Sequence, residues 1–407
     1  MSPRGKGRAA AVGLSIVLGA CGDVTGAARP TEPVAAITPR SPSIVALPLS
    51  TIGVADDVPA APAVRLAPPP TEPVSFTAAF TGDILVHSPL WKQAARNAGG
   101  VGLDFRPMLA PLEPMLDSVD LAVCHLETPI APSGEAPSTE PRYGVPVEVA
   151  DAIAAAGYDR CSTASNHTAD RGAAGIDRTV AALEAVGVGQ SGMARTPAEI
   201  EPHVFDVHGV RVSHLAYTFS FNGLSLPPGE EWRSAVTDPV RIVADATDAR
   251  RRGAQVVIVS LHWGAEASSV ITVEQRRVAE AVTASGQVDL IVGHHAHVLQ
   301  PIEQINGVWV VFGLGNVLSN HPAGPSWPAS SQDAAVVETR LTVGSNGHVV
   351  VDRPVVRPTW VDKGNGWVVH PVLSDLADPN TPPWLRTQLE TSLRRTRQIV
   401  GDFVPPA

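Results

Sequence analysis

Apolar and polar positions along this chain follow two periods in turn. Short runs with alternating or continuous apolar residues predict strands; apolar residues three and four apart predict helices. Strands are expected over Ser75–Thr81, Asp120–Leu126, Tyr158–Thr163, Gln255–Leu261, Asp289–Val292 and Val308–Phe312. Val204–Val207 and Val210–Tyr217 read as a hairpin turning at His208-Gly209, with further β structure over Ala334–Val343 and His348–Val356. Helices are expected over Pro107–Leu116, Val147–Ala156, Val240–Arg252, Thr272–Ser285 and Pro382–Gln398. Another runs to about Val186, with Ile176, Val180 and Leu183 on one face. This alternation predicts an α/β domain with mixed sheets.

The polar residues fall at chosen places in that pattern. Asp83, Glu127, Asn166-His167, His262, and His295 with His297 each follow directly on a strand-like run. In α/β domains the loops at strand carboxyl ends converge on one rim, where ligands bind. Carboxylates, an amide and imidazoles gathered there are oxygen and nitrogen donors suited to Mn, Fe, Zn or Mg.

Before Phe76 the pattern is absent. Residues 1–20 hold Arg4, Lys6 and Arg8, then a short apolar run, Ala9 to Leu18, and lead through Gly19-Ala20 into Cys21. The run is too short to span a bilayer and has the build of a secretory signal. Small residues leading into Cys21 resemble the lipobox of bacterial lipoproteins, in which that cysteine carries lipid. Residues 21–74 hold eleven prolines and no aromatic residue, so they have little with which to build a core. They read as a disordered Pro/Ala-rich tether. A folded domain over 75–356 and a C-terminal extension over 357–407, with a helix packed on the domain, complete the organisation. The expected location is the outer face of the cytoplasmic membrane.

Composition narrows the functions. The 407 residues carry 40 acidic and 30 basic side chains, a net charge of −10. Such a balance disfavours nucleic acid as a partner. Three cysteines are too few for a disulfide scaffold. Cys124 and Cys161 fall on core strands and are expected as free buried thiols, with a bridge between them the alternative in an oxidising envelope.

The order of the polar residues resembles the calcineurin-like metallophosphoesterases, and within them the CapA-type poly-gamma-glutamate capsule biosynthesis proteins. The matching stretches are Thr81-Gly82-Asp83-Ile84-Leu85, Leu126-Glu127-Thr128-Pro129, Ser165-Asn166-His167, Ser260-Leu261-His262-Trp263-Gly264, Gly293-His294-His295-Ala296-His297-Val298-Leu299-Gln300 and Gly313-Leu314-Gly315-Asn316. The resemblance implies a sandwich of mixed β-sheets flanked by helices and a site for two divalent metal ions. Asp83 and His297 would hold the first ion and Asn166, His262 and His295 the second. Glu127 stands where the superfamily has a bridging Asp. His167 would be the general acid or a contact to the developing oxyanion. His87 is a further candidate for the first ion, although three residues separate it from Asp83 where the superfamily has one. Arg142 and Arg171 are candidates for holding an anionic substrate.

The chain departs from the family at His125, where Asn is common, at Arg171, where an aromatic residue is common, and at Gly313, where Ser is favoured. Trp263 is expected to be packing, His294 a support rather than a ligand, Pro325-Ser326-Trp327-Pro328 a surface loop, and Arg394-Arg395-Thr396-Arg397 a solvated face.

Three functions fit these residues. The first is an envelope-anchored protein of poly-gamma-glutamate or related anionic-polymer biosynthesis or export, with polyglutamate synthase subunits as partners. The second is a secreted metal-dependent phosphoesterase acting on small phosphoesters. The third is a non-catalytic polymer-binding assembly protein. The anchor has its own test: Cys21→Ser should move the protein from the membrane fraction to the soluble fraction. Retention with the membranes would contradict lipidation at this residue.

Overall fold

The computed structural model describes residues 71–321 and 324–406. The signal-like segment, Cys21 and residues 21–70 of the expected tether lie outside the described residues. No helix among the described residues is long and apolar enough to cross a membrane.

Fifteen strands form two sheets among the described residues. In chain order they are β1 (Val74–Ile84), β2 (Leu121–Leu126), β3 (Arg160–Ser162), β4 (Gly189–Ser191), β5 (Val204–Val207), β6 (Val210–Thr218), β7 (Val256–His262) and β8 (Leu290–His294). Then follow β9 (Ile302–Ile305), β10 (Val308–Val311), β11 (Asn316–Leu318), β12 (Asp333–Val343), β13 (Val349–Val351), β14 (Val355–Asp362) and β15 (Val368–Pro371). The first sheet has the order β15-β14-β12-β1-β2-β3-β4, with β11 also on β1 and β13 on β12. The second has the order β5-β6-β7-β8-β10-β9. Each is mixed: β1 to β4 run parallel and β6, β7, β8 and β10 run parallel, while antiparallel strands lie outside them.

Alternation along the strands sorts side chains into layers. On β1, Phe76, Ala78 and Phe80 face the second sheet, and Ala79 faces the helices. On β7, Val256 and Ile258 meet that same inter-sheet core, and Val257, Val259 and Leu261 face the other way. Helices Glu148–Ala155 and Gly172–Ala185 supply Ile153 and Leu183 to the core behind the first sheet. Helices Pro239–Arg251 and Val273–Thr283 supply Ile242, Ala246, Val278 and Val282 to the core behind the second. The expected sandwich of mixed sheets flanked by helices is therefore present.

Several elements differ from the sequence reading. Pro107–Leu116 is two single-turn helices, Arg106–Leu109 and Glu113–Leu116, joined by a 3-10 turn. Pro111 and Pro114 lack the N–H needed to carry one helix through. The β run at His348–Val356 is broken into β13 and β14 at Asp352-Arg353-Pro354. β14 crosses position 356, and β15 adds a further strand to the sheet, so the sheet does not end where the boundary was drawn. The C-terminal helix runs over Pro383–Val400, with Leu385, Leu389 and Leu393 in the inter-sheet core cluster. Its basic stretch is not simply a solvated face. Arg395 donates to both oxygens of buried Asp333, at 2.5 and 2.6 Å.

Cys124 and Cys161 are bridged rather than free. Parallel pairing of β2 with β3 sets them directly opposite, with Cα atoms 4.4 Å apart. Closing a chain segment of this length is worth about 2–4 kcal/mol. Thiol titration of denatured, unreduced Cys21→Ser protein should therefore find no free thiol. Replacing both bridged cysteines by alanine should lower the unfolding free energy by about that amount in denaturant titration.

Candidate metal centre

The site is built at the end of β1. The strand pairs with β12 through Thr81, then shifts register and joins β11, with Asp83 opposite Asn316. Gly82 permits this crossing: a Cβ there would lie 2.1 Å from the Gly315 carbonyl oxygen. The Asp83 N–H donates to that same oxygen at 2.8 Å. Across the sandwich, β8 ends in a turn where His295 and His297 both have positive φ, 85° and 57°. Such angles are costly outside glycine and are found where side chains must be aimed.

The arrangement brings the expected residues together. Asp83, Glu127 and His297 present donor atoms within 4.8 Å of one another, and so do Glu127, His262 and His295. Glu127 belongs to both groups. The Nδ1 atom of His297 lies 3.1 Å from Asp83 Oδ2 and 2.9 Å from Asn316 Oδ1, which leaves Nε2 toward Glu127 Oε1 at 3.5 Å. Nε2 of His262 lies 3.0 Å from Asn166 Oδ1 and 3.8 Å from Glu127 Oε1.

A buried chain of hydrogen bonds supports His262. Its Nδ1 is 2.9 Å from His125 Nε2, and His125 Nδ1 is 2.7 Å from the Ser162 hydroxyl. His125 also stacks on His294 at 4.1 Å. His294 Nδ1 sits 3.2 Å from Asp83 Oδ1, without hydrogen-bond alignment. Trp263 donates to the Phe312 carbonyl at 2.9 Å and is packing, as expected.

The electrostatics expose what is missing from the protein's own charges. Both Glu127 oxygens are buried and accept no hydrogen bond; Asp83 Oδ1 and His295 Nδ1 are unpaired as well. Burial pushes the Glu127 carboxyl up to about 7. Burial also raises Asp83, but contacts from His294 and His297 outweigh it and hold that carboxyl well below its ordinary range. His297 is opposed by burial yet pushed up to about 9 by Glu127 and Asp83. Burial lowers His295 to about 3 and drives His262 well down, so both are neutral with lone pairs available. Unpaired carboxylate oxygens beside the neutral imidazoles of His262 and His295 fit a divalent cation.

The remaining expected residues sit elsewhere on the rim. His167 holds its Nδ1 2.7 Å from Asp170 Oδ2, and Asp170 also accepts from the Tyr143 N–H at 2.7 Å. His87 is not in the Asp83 group. Leu85 and Val86 carry it past the end of β1 to the cap of the helix Ser88–Asn97, where its Nδ1 is 3.0 Å from the Leu85 carbonyl. Arg171 is tied to Ser138 at 2.7 Å and to Glu135 at 2.5 Å, and Arg142 is exposed. Pro325, Ser326 and Pro328 are exposed, as expected of a surface loop, but the half-buried Trp327 stacks on His321 at 3.7 Å, 5.4 Å from the His297 ring. Asp170, His321 and the orienting roles of His125 and Asn316 were not read from the sequence.

Residues 77–321, more than half of the chain, match the family described as bacterial capsule synthesis protein PGA_cap. The chain belongs to this family. Among similar curated proteins are the capsule biosynthesis protein CapA of Bacillus anthracis, 29% identical over 50% of this chain and 49% of that protein, and the PGA biosynthesis protein CapA of Bacillus subtilis, 30% identical over 47% and 49%. The chain thus spans about half the length of these relatives. Similar solved structures include the NAD nucleotidase of Haemophilus influenzae, at 12% identity over 82% of this chain and 57% of that one, with a TM-score of 0.43. The calcineurin-like phosphoesterase YfkN of Bacillus subtilis aligns at 15% identity over 80% and 97%, with a TM-score of 0.42.

The shared carboxylate makes a direct prediction. Glu127→Ala and His295→Ala should each lose bound divalent metal while keeping a native circular dichroism spectrum, because each removes a donor the others are placed around. Full metal content in both variants would contradict a common centre.

Proposed function

We propose that this member of the PGA_cap family is an envelope-anchored protein of poly-gamma-glutamate or related anionic-polymer biosynthesis or export, and that its rim is a metal-dependent phosphoesterase-like hydrolase site. The observation that carries the hydrolytic reading is Glu127. Its buried, unpartnered carboxylate lies between an Asp83/His297 group and a His262/His295 group. Asp83, Glu127 and His297 would hold one ion, and Glu127, Asn166, His262 and His295 the other. Bound divalent ions would supply positive charge to a phosphoryl group and acidify water at the site.

The chain's own residues supply the rest. Asp170 fixes the orientation of His167 through Nδ1, so Nε2 is the nitrogen left to meet a substrate. In that place the imidazole can give a proton to the leaving oxygen as the phosphorus–oxygen bond breaks. Asn316 and Asp83 hold His297, and the His125–Ser162 pair holds His262, so neither ring must be ordered when substrate arrives. The relatives' names support the biological setting: two are CapA proteins of capsule or PGA biosynthesis, and one, from Mycobacterium tuberculosis, is a probable polyglutamine synthesis accessory protein. Synthase subunits are the corresponding proposed partners, and Cys21 the proposed anchor.

Purified protein supplied with Mn should turn over a generic phosphodiester or phosphomonoester. His167→Ala should retain the metal and lose about 10²–10⁴-fold in kcat, the usual worth of a positioned proton donor. Metal binding without turnover of either substrate would favour the non-catalytic, polymer-binding alternative.

A further inference from the structure

Beside the Glu127 centre lies a second cluster of donor side chains. His87, Glu140 and His321 each bring one donor atom within 4.8 Å of the others. They come from separate segments: the chain after β1, the loop before Tyr143, and the chain after β11. Both imidazoles are buried, at 7% and 5% exposure, while the Glu140 side chain reaches in from solvent and is 71% exposed. We propose that these three residues hold an additional divalent cation of the zinc type, separate from the ions at Glu127.

The donor set is the first argument. Two imidazoles and one carboxylate are a recurrent zinc set that leaves a fourth position open to water or substrate.

The second argument is how the donors are held. Ligating histidines usually give their other N–H to a carbonyl or carboxylate, which fixes the ring and the tautomer. His87 Nδ1 has the Leu85 carbonyl at 3.0 Å, and its Nε2 faces Glu140 Oε1 at 4.0 Å. The His321 ring is fixed by the Trp327 stack at 3.7 Å and an edge contact with His87 at 4.9 Å. Its main-chain carbonyl accepts from the Ser331 hydroxyl at 3.2 Å and from the Lys363 amine. Glu140 accepts from the Tyr143 hydroxyl at 3.3 Å.

The third argument is the spacing. The competing arrangement has His87 Nδ1 accept from the Asn320 N–H, which lies at 3.2 Å, with an Nε2–H aimed at Glu140. A gap of 4.0 Å is too long for that hydrogen bond. It is closer to the separation of two ligands on one ion, which for bonds of about 2.0–2.1 Å in a tetrahedral site is roughly 3.4 Å. The two places share a wall, because the His321 ring meets the His297 ring at 4.6 Å.

The test is elemental analysis of the full chain after saturation with zinc and dialysis. Glu140→Gln and His87→Gln should each hold one equivalent fewer than the native protein. Glu127→Ala should keep the equivalent that Glu140→Gln loses, so failure of this site and failure of the Glu127 centre give different patterns. Because Glu140 is exposed, its variant should keep the native circular dichroism spectrum even if His87→Gln does not. Native zinc content in folded Glu140→Gln would overturn the proposal.

Discussion

Two buried carboxylates with too little positive charge around them set the terms for this structure. Asp83 and Glu127 are at most 1% exposed, and both oxygens of Glu127 lack any hydrogen bond. An uncompensated buried charge costs several kcal/mol, so such a site persists only where something else repays it. With only protein charges present, the compensation falls on His297, which Glu127 and Asp83 press toward its protonated form. Divalent cations would answer the same electrostatic need with more charge and with directional bonds to the idle oxygens.

The two sheets bring the carboxylates and imidazoles together from different strands. Asp83 depends on β1 leaving β12 for β11, which Gly82 makes sterically possible. His262 depends on β7 lying next to β8 in the second sheet, and on His125 reaching across from β2 in the first. The Cys124–Cys161 bridge ties β2 to β3 immediately beside His125 and Ser162. The buried hydrogen bonds from Ser162 to Asn166 thus rest on a covalently pinned strand pair.

How much of this was legible beforehand follows from where each interaction is encoded. Asp83, Glu127, Asn166, His262, His295 and His297 could be read because each follows a strong apolar run, and strand ends converge. The hairpin at His208-Gly209 was legible for a similar local reason: both residues take positive φ, as its tight turn requires. The orienting role of His125 was hidden because the residue lies within a strand, where a histidine normally reads as interior packing; only the packing of one sheet on the other gives it His262 as a partner. The disulfide was legible only as the alternative to free thiols, since sequence does not state the register of β2 on β3. β4 and β11 have three residues each, too few to show a period. His321 and Trp327 sit between β11 and β12, outside any periodic run, and their meeting with His297 is purely tertiary.

The most direct test of the shared-carboxylate account is anomalous scattering at the Mn edge from crystals soaked in Mn. The account predicts two peaks at Glu127, one also touching Asp83 and His297 and the other His262 and His295. A fully loaded crystal with no anomalous peak within ligand distance of Glu127 would contradict it.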